Sequence, residues 1–240
     1  MVTMNKTRQA VHGALEKAVS WDMLPANPLA HVDRLPKDRK QQEIFPIEEL
    51  NALFCEIWLD VRAWSACVPA AKTGARVGEI RALKIKHVHF VDRYIDIVHN
   101  WSEYDWLKVP KNTKPRLNVA IDDVVAIAIG EVVKIHPYAE DPEAFVYFTP
   151  YTNSQPCDSK VFTRGLRARI KELDLHTGRT FHCFRHTWIS MQAEIMPADK
   201  VAKLVGQKSV DVTRGYISVT EDDQKRSREV SSRMFQPPSP

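Results

Sequence analysis

The 240-residue chain is predicted to be mainly α-helical with one small antiparallel β-sheet, an α+β fold. Three observations predict this. Apolar residues recur at helical spacing along most of the chain. Between residues 93 and 121 the period shortens to that of strands. Hydrophobic residues make up 44% of the chain, against only 8 glycines and 15 prolines, so a core can be buried and low complexity is excluded.

Val11, Leu15, Ala18 and Val19 predict a helix over residues 5–20, broken by Pro25, Asn27 and Pro28. The polar, Pro-interrupted run from Asp33 to Gln42 reads as a linker. One helix and a stub cannot close a core. Residues 1–40 are therefore expected to be the C-terminal remnant of a helical domain plus linker, and residues 41–235 a second domain. Pro46 opens a helix with Glu48 and Glu49 at its positive end. A second helix is predicted over 60–72, ended by Gly74, and a short one from Arg76 to Leu83. Tyr94–Val98, Leu107–Val109 and Leu117–Ile121 read as strands, with Lys111–Arg116 as a basic turn between the last two. Helices are expected again at 122–136, 159–174, 181–195, 198–206 and 221–232, and the tail 236–240 is expected to be disordered.

No apolar run approaches the ~20 residues that span a bilayer. The N-terminus also lacks the apolar core of a signal peptide, so a cytoplasmic protein is expected. Cys55, Cys67, Cys157 and Cys183 show no CxxC spacing and fit reduced thiols better than a disulfide framework. His182, Cys183 and His186 have no second ligand pair at a suitable spacing, so no metal site is expected. Net charge is +4, unevenly spread. From Lys160 to His186 there are seven Lys/Arg against two acids, whereas Ile121 to Tyr147 holds six acids against one base. These are either two solvated faces or an oriented molecule whose basic side meets a polyanion.

Three motifs carry chemistry. His182 and Arg185 share one face of a helix, with His186 on the neighbouring face, among bulky apolar residues that would leave them costly without partners. Arg76 follows Gly74 at a helix start, where arginine and backbone N–H groups both favour phosphate, and Glu79 lies three residues on. Taken alone, Arg76 reads better as a surface arginine paired with Glu79, and Tyr216 is one of six tyrosines.

Together these pieces resemble one family. Ala71-x-Thr73-Gly74-x-Arg76-x-x-Glu79-x-x-x-Leu83 resembles the first signature box of the tyrosine recombinases, the phage integrase family. His182-x-x-Arg185-His186-Thr187 resembles the second box. Leu204-Val205-Gly206-Gln207, with Tyr216 nine residues after Gln207, resembles the third. The basic turn resembles the family's lysine-bearing hairpin. The motifs occur in family order over about residues 45–232, and residues 1–40 resemble the end of the family's core-binding domain.

The resemblance implies a DNA strand transferase, an integrase or site-specific recombinase from a prokaryote, phage or mobile element. It implies double-stranded DNA as partner and a homo-tetramer on DNA that is monomeric when free. It implies neither ATP nor a metal. Tyr216 would attack a DNA phosphate and leave a 3′-phosphotyrosine; a phenol of pKa ~10 needs help to do so at neutral pH. Arg76 and Arg185 would clamp the non-bridging oxygens, and His182 would assist proton movement. Lys111 would protonate the departing 5′-hydroxyl, with Lys114 the alternative because the hairpin register is open. Glu79 and His186 would orient the arginines. Lys114, Arg116, Arg164 and Arg167 would contact DNA. Gln207 stands where the family usually has His; it can still donate a hydrogen bond but cannot carry a proton. A catalytically impaired, DNA-binding remnant is the alternative reading.

Overall fold

The computed structural model describes residues 2–35, 43–103, 106–108, 115–176, 178–206 and 221–235. It divides into two compact units, Met1–Gln41 and Gln42–Pro240.

In the first unit, helix α1 (Val2–Ser20) is followed by a returning segment. Two asparagines clip that segment to the helix. Asn5 exchanges two hydrogen bonds of 2.9 Å with the backbone of Leu35, and the buried Asn27 donates to the His12 carbonyl and the Glu16 carboxylate. Met4, Trp21 and Met23 of this unit are exposed.

The second unit is built around helix α3 (Val61–Thr73), which packs against α5 (Asp123–Lys134), α6 (Ser159–Glu172) and α7 (Phe181–Ala193). Every residue of α3 from Ala63 to Thr73 is buried. Asp60 caps its start, accepting from the N–H groups of Arg62 and Ala63, and Gly74 caps its end in the left-handed region at φ 65°. Pro69 lies inside this helix and has no N–H to give the carbonyl of Ser65. The buried Tyr147 hydroxyl takes that place, donating to Ser65 O at 2.9 Å. Helix α2 (Ile47–Phe54) sends Leu50, Leu53 and Phe54 into the same core, where Phe54 stacks on Phe235 at 4.3 Å. The other α-helices among the described residues of this unit are α4 (Val77–Arg81), α8 (Ala198–Leu204) and α9 (Glu221–Ser232). Among the described residues no helix is long and apolar enough to cross a membrane.

The α+β class is as expected, but the strands are arranged differently. The structure has three small antiparallel sheets among the described residues. β1 (Val88–His89), β2 (Tyr94–Ile97) and β5 (Arg116–Ala120) form one, in the order β1-β2-β5. β4 (Trp106–Lys108) pairs with β3 (Asn100–Ser102) rather than with the strand that follows it. β6 (Phe148–Thr149) and β7 (Thr152–Pro156) form the third sheet, which the periodicity did not indicate. The reason is length. Strands of two to five residues carry too little alternation to specify partners, and several of them pack against helices. Gly78 of α4 shows this coupling, since a Cβ there would lie 2.4 Å from Asn100 Oδ1 and 2.6 Å from the Trp101 carbonyl.

Candidate active site

The end of α3, the start of α4, α7 and the end of α8 converge on one guanidinium. Arg185 of α7 is 1% exposed. Its Nη1 donates to Gly74 O at 2.7 Å and its Nη2 to Val205 O at 2.9 Å. One side chain thus joins the turn after α3, the His-bearing helix and the chain just beyond α8. Gly74 suits this turn twice over. Its φ is positive, and a Cβ would lie 2.9 Å from the Trp188 ring and 3.2 Å from Val205.

Arg76 is partly open to solvent, with its side chain 34% exposed. Glu79 holds it by both ends: Oε2 accepts from the Arg76 backbone N–H at 2.9 Å and Oε1 from Nη1 at 2.6 Å. Glu79 is itself buried and also pairs with Arg116, Nη1 to Oε2 at 3.7 Å. Two guanidinium groups therefore share one carboxylate, leaving a surplus of positive charge. Burial first, and Arg76 second, push the Arg185 guanidinium down to about 9. A site that disfavours its own cations this way gains by admitting an anion.

His182 lies on the exposed side of α7, with its ring 4.5 Å from that of His186, edge to face. Partial burial holds His182 below the usual imidazole range, with Arg185 and Arg76 acting in the same direction. His186 is lowered by burial and then by His182 and Arg185. Both rings are therefore biased toward the neutral form, which can accept a proton.

Arg116 departs from expectation. It was expected to contact DNA from a hairpin turn, yet it begins β5 and is only 8% exposed. Its Nη2 donates to Thr73 O at 2.8 Å, and burial pushes it down to about 10. Its Nε and Nη1 have no hydrogen-bond partner among the described residues. A guanidinium enclosed in this way supports Glu79 rather than presenting itself to a ligand. The sequence contained one signal for it, an arginine opening an alternating strand. Arg164 and Arg167 are exposed on α6 and take no part in the cluster. Lys111, Lys114, Gln207 and Tyr216 lie outside the described residues. Gln207 directly follows Gly206, which is next to the Val205 that holds Arg185, and Lys114 is two residues before Arg116.

Comparison with known proteins places the chain in a family. The model of the phage integrase family matches residues 46–223. The chain belongs to that family. The Sinorhizobium fredii (strain NBRC 101917 / NGR234) protein y4rF, whose name assigns it to the integrase/recombinases, is 24% identical over 153 residues. That alignment covers 62% of this chain and 33% of y4rF, so the chain spans about a third of the length of this curated relative. Among solved structures, the Tn1549 transposon integrase in complex with a circular intermediate DNA matches at TM-score 0.68 and 19% identity. The match covers 95% of this chain and 78% of that one. A lambda integrase dimer bound to a COC′ core site matches at TM-score 0.58 and 16% identity, covering 89% and 74%. XerA recombinase matches at 0.57 and 19%, covering 88% and 71%. At these identities the solved structures establish the fold.

Proposed function

We propose that this chain is the catalytic part of a site-specific DNA recombinase that cleaves and rejoins strands through a 3′-phosphotyrosine on Tyr216. The observation that carries the proposal is Arg185, bonded at once to Gly74 O and Val205 O, so that three separated motifs meet around one guanidinium. Arg76 and Arg185 would bind the non-bridging oxygens of the scissile phosphate, whose negative charge grows as the phosphorane forms. Glu79 would hold Arg76 in its rotamer. His182, neutral near pH 7, would accept the phenolic proton, with His186 packed edge-on behind it. Lys111, or Lys114 in the other register, would protonate the leaving 5′-oxygen. Gln207 would donate its amide N–H to the phosphate. Conserving the phosphodiester as a phosphotyrosine lets a second strand's 5′-hydroxyl reseal it, so the reaction is isoenergetic. Lys114, Arg164 and Arg167 would touch the duplex backbone, and residues 1–40 would belong to a core-binding domain.

Nicked duplexes that trap the covalent intermediate test this. Wild type is expected to form a protein–DNA adduct stable in denaturant, and Tyr216→Phe none. Absence of the adduct with duplex binding retained would identify a binding remnant instead, and an adduct surviving in Tyr216→Phe would remove Tyr216 from its role.

A further inference from the structure

Lys72 is the penultimate residue of α3, next to the turn that carries Arg76, and its side chain is 1% exposed. The ammonium has three protons, and three acceptors surround it. Asp122 Oδ2 lies at 2.8 Å, Ser231 O at 2.6 Å and Phe235 O at 2.9 Å. It also lies 4.3 Å from the centroid of the Phe235 ring. Two of the three acceptors are carbonyls at the end of α9 and just beyond it, where a helix presents its negative pole. The Lys72 carbonyl completes the junction, accepting from Trp188 Nε1 at 2.8 Å and Ser231 Oγ at 2.7 Å. Helix α9 is also held by Asp223 on Lys200 of α8, at 2.9 and 3.2 Å, and by Ser227 O on Gln192 of α7 at 3.3 Å. Among the described residues, Lys72 alone joins α9 to the end of α3, next to the arginine-bearing turn, through a buried charge.

The position of α9 bears on Tyr216 through chain length. Residues 217–220 alone separate Tyr216 from α9. At about 3.3–3.6 Å per residue, the seat of α9 bounds where that hydroxyl can go. We propose that Lys72 is a positioning residue for strand cleavage. It fixes the end of α9 to the Arg76 turn of the same chain and so keeps Tyr216 within reach of Arg76 and Arg185. This rests on the strand-transferase reading. Lys72 touches no substrate and acts only through α9.

The test compares wild type, Asp122→Asn and the double variant Lys72→Met/Asp122→Asn, all as the full chain. Asn can still cap α5 through its side-chain oxygen. Asp122→Asn strands the buried ammonium without a counter-charge but leaves both tail carbonyls capped. The double variant removes both charges and the cap. Thermal stability should therefore rank Asp122→Asn below the double variant. Cleavage should rank the other way: adduct formation at saturating nicked duplex stays within threefold of wild type in Asp122→Asn and falls at least tenfold in the double variant. Duplex affinity should change less than twofold in both, and tryptic cleavage within α9 should accelerate at least tenfold in the double variant alone. Adduct rates that follow thermal stability across the three proteins would overturn the proposal, as would a double variant that cleaves normally or keeps α9 protected. If wild type itself forms no adduct, the strand-transferase reading fails and takes the positioning role with it. Loss of α9 protection in the double variant would then mark Lys72 as a structural tie without catalytic consequence.

Discussion

Glu79→Gln should be among the most damaging single-atom changes in this protein, and the structure says by how much. The carboxylate is 5% exposed and the Arg116 side chain 7%, so solvent screens their pairing little. Arg116 Nε and Nη1 have no other hydrogen-bond partner among the described residues. Neutralising Glu79 therefore leaves a buried guanidinium without a counter-charge. Removing one member of a buried pair costs about 3–5 kcal/mol. Glutamine keeps an acceptor for the Arg76 N–H at the start of α4, so the low end, about 3 kcal/mol, applies. In a domain of this size that corresponds to a fall in Tm of roughly 6–12 °C. Removing the stranded charge as well, in Glu79→Gln/Arg116→Met, should restore most of the loss, with a coupling above about 1.5 kcal/mol in the double-mutant cycle. Thermal and urea denaturation of the four proteins measure it. A Glu79→Gln protein that melts within 2 °C of wild type (roughly 0.5–1 kcal/mol), or a double variant no more stable than the single, would refute the charge-support role given to Arg116.

Three further outcomes follow from the same geometry. His182 is held below its ordinary value, so the unfolded chain binds its proton first. Stability should therefore drop as pH falls through about 6.5 toward the folded value, and His182→Asn, read by Tm against pH, should flatten that slope. Tyr147→Phe leaves the Ser65 carbonyl that Pro69 cannot satisfy without its donor, and should cost about 1–3 kcal/mol in urea unfolding. Gly78→Ala places a methyl 2.6 Å from the Trp101 carbonyl. It should cost about 1–3 kcal/mol and, by displacing the Arg76 end of α4, lower duplex affinity in a binding titration.

Much of this fold could be read from the chain because its helices are long and periodic. α5, α6 and α7 fell within three residues of expectation at each end. The resemblance to the family's signature boxes implied that Arg76, Glu79, His182 and Arg185 meet, and the structure places them near one another. Two kinds of information were missing. Pairing of short strands depends on what they cover, which is why Trp106–Lys108 was given the wrong neighbour. Burial of a charged side chain depends on partners distant in sequence. Arg116 meets Thr73 across 43 positions and Lys72 meets Phe235 across 163, and neither distance leaves a local trace. A lysine near the end of a helix ordinarily reads as a solvated residue.

Among the described residues, the two hydrogen-bond partners of Arg185 are main-chain oxygens, belonging to Gly74 and Val205. A guanidinium anchored to atoms that every amino acid possesses is indifferent to what side chains those positions carry. Residue substitutions around it can accumulate without moving it, provided the turn keeps its left-handed glycine and α8 keeps its length. Sequence drift and geometric constancy are thus decoupled at this point of the molecule. A chain can share only 19% of its residues with the Tn1549 integrase and still superpose on it over 95% of its length.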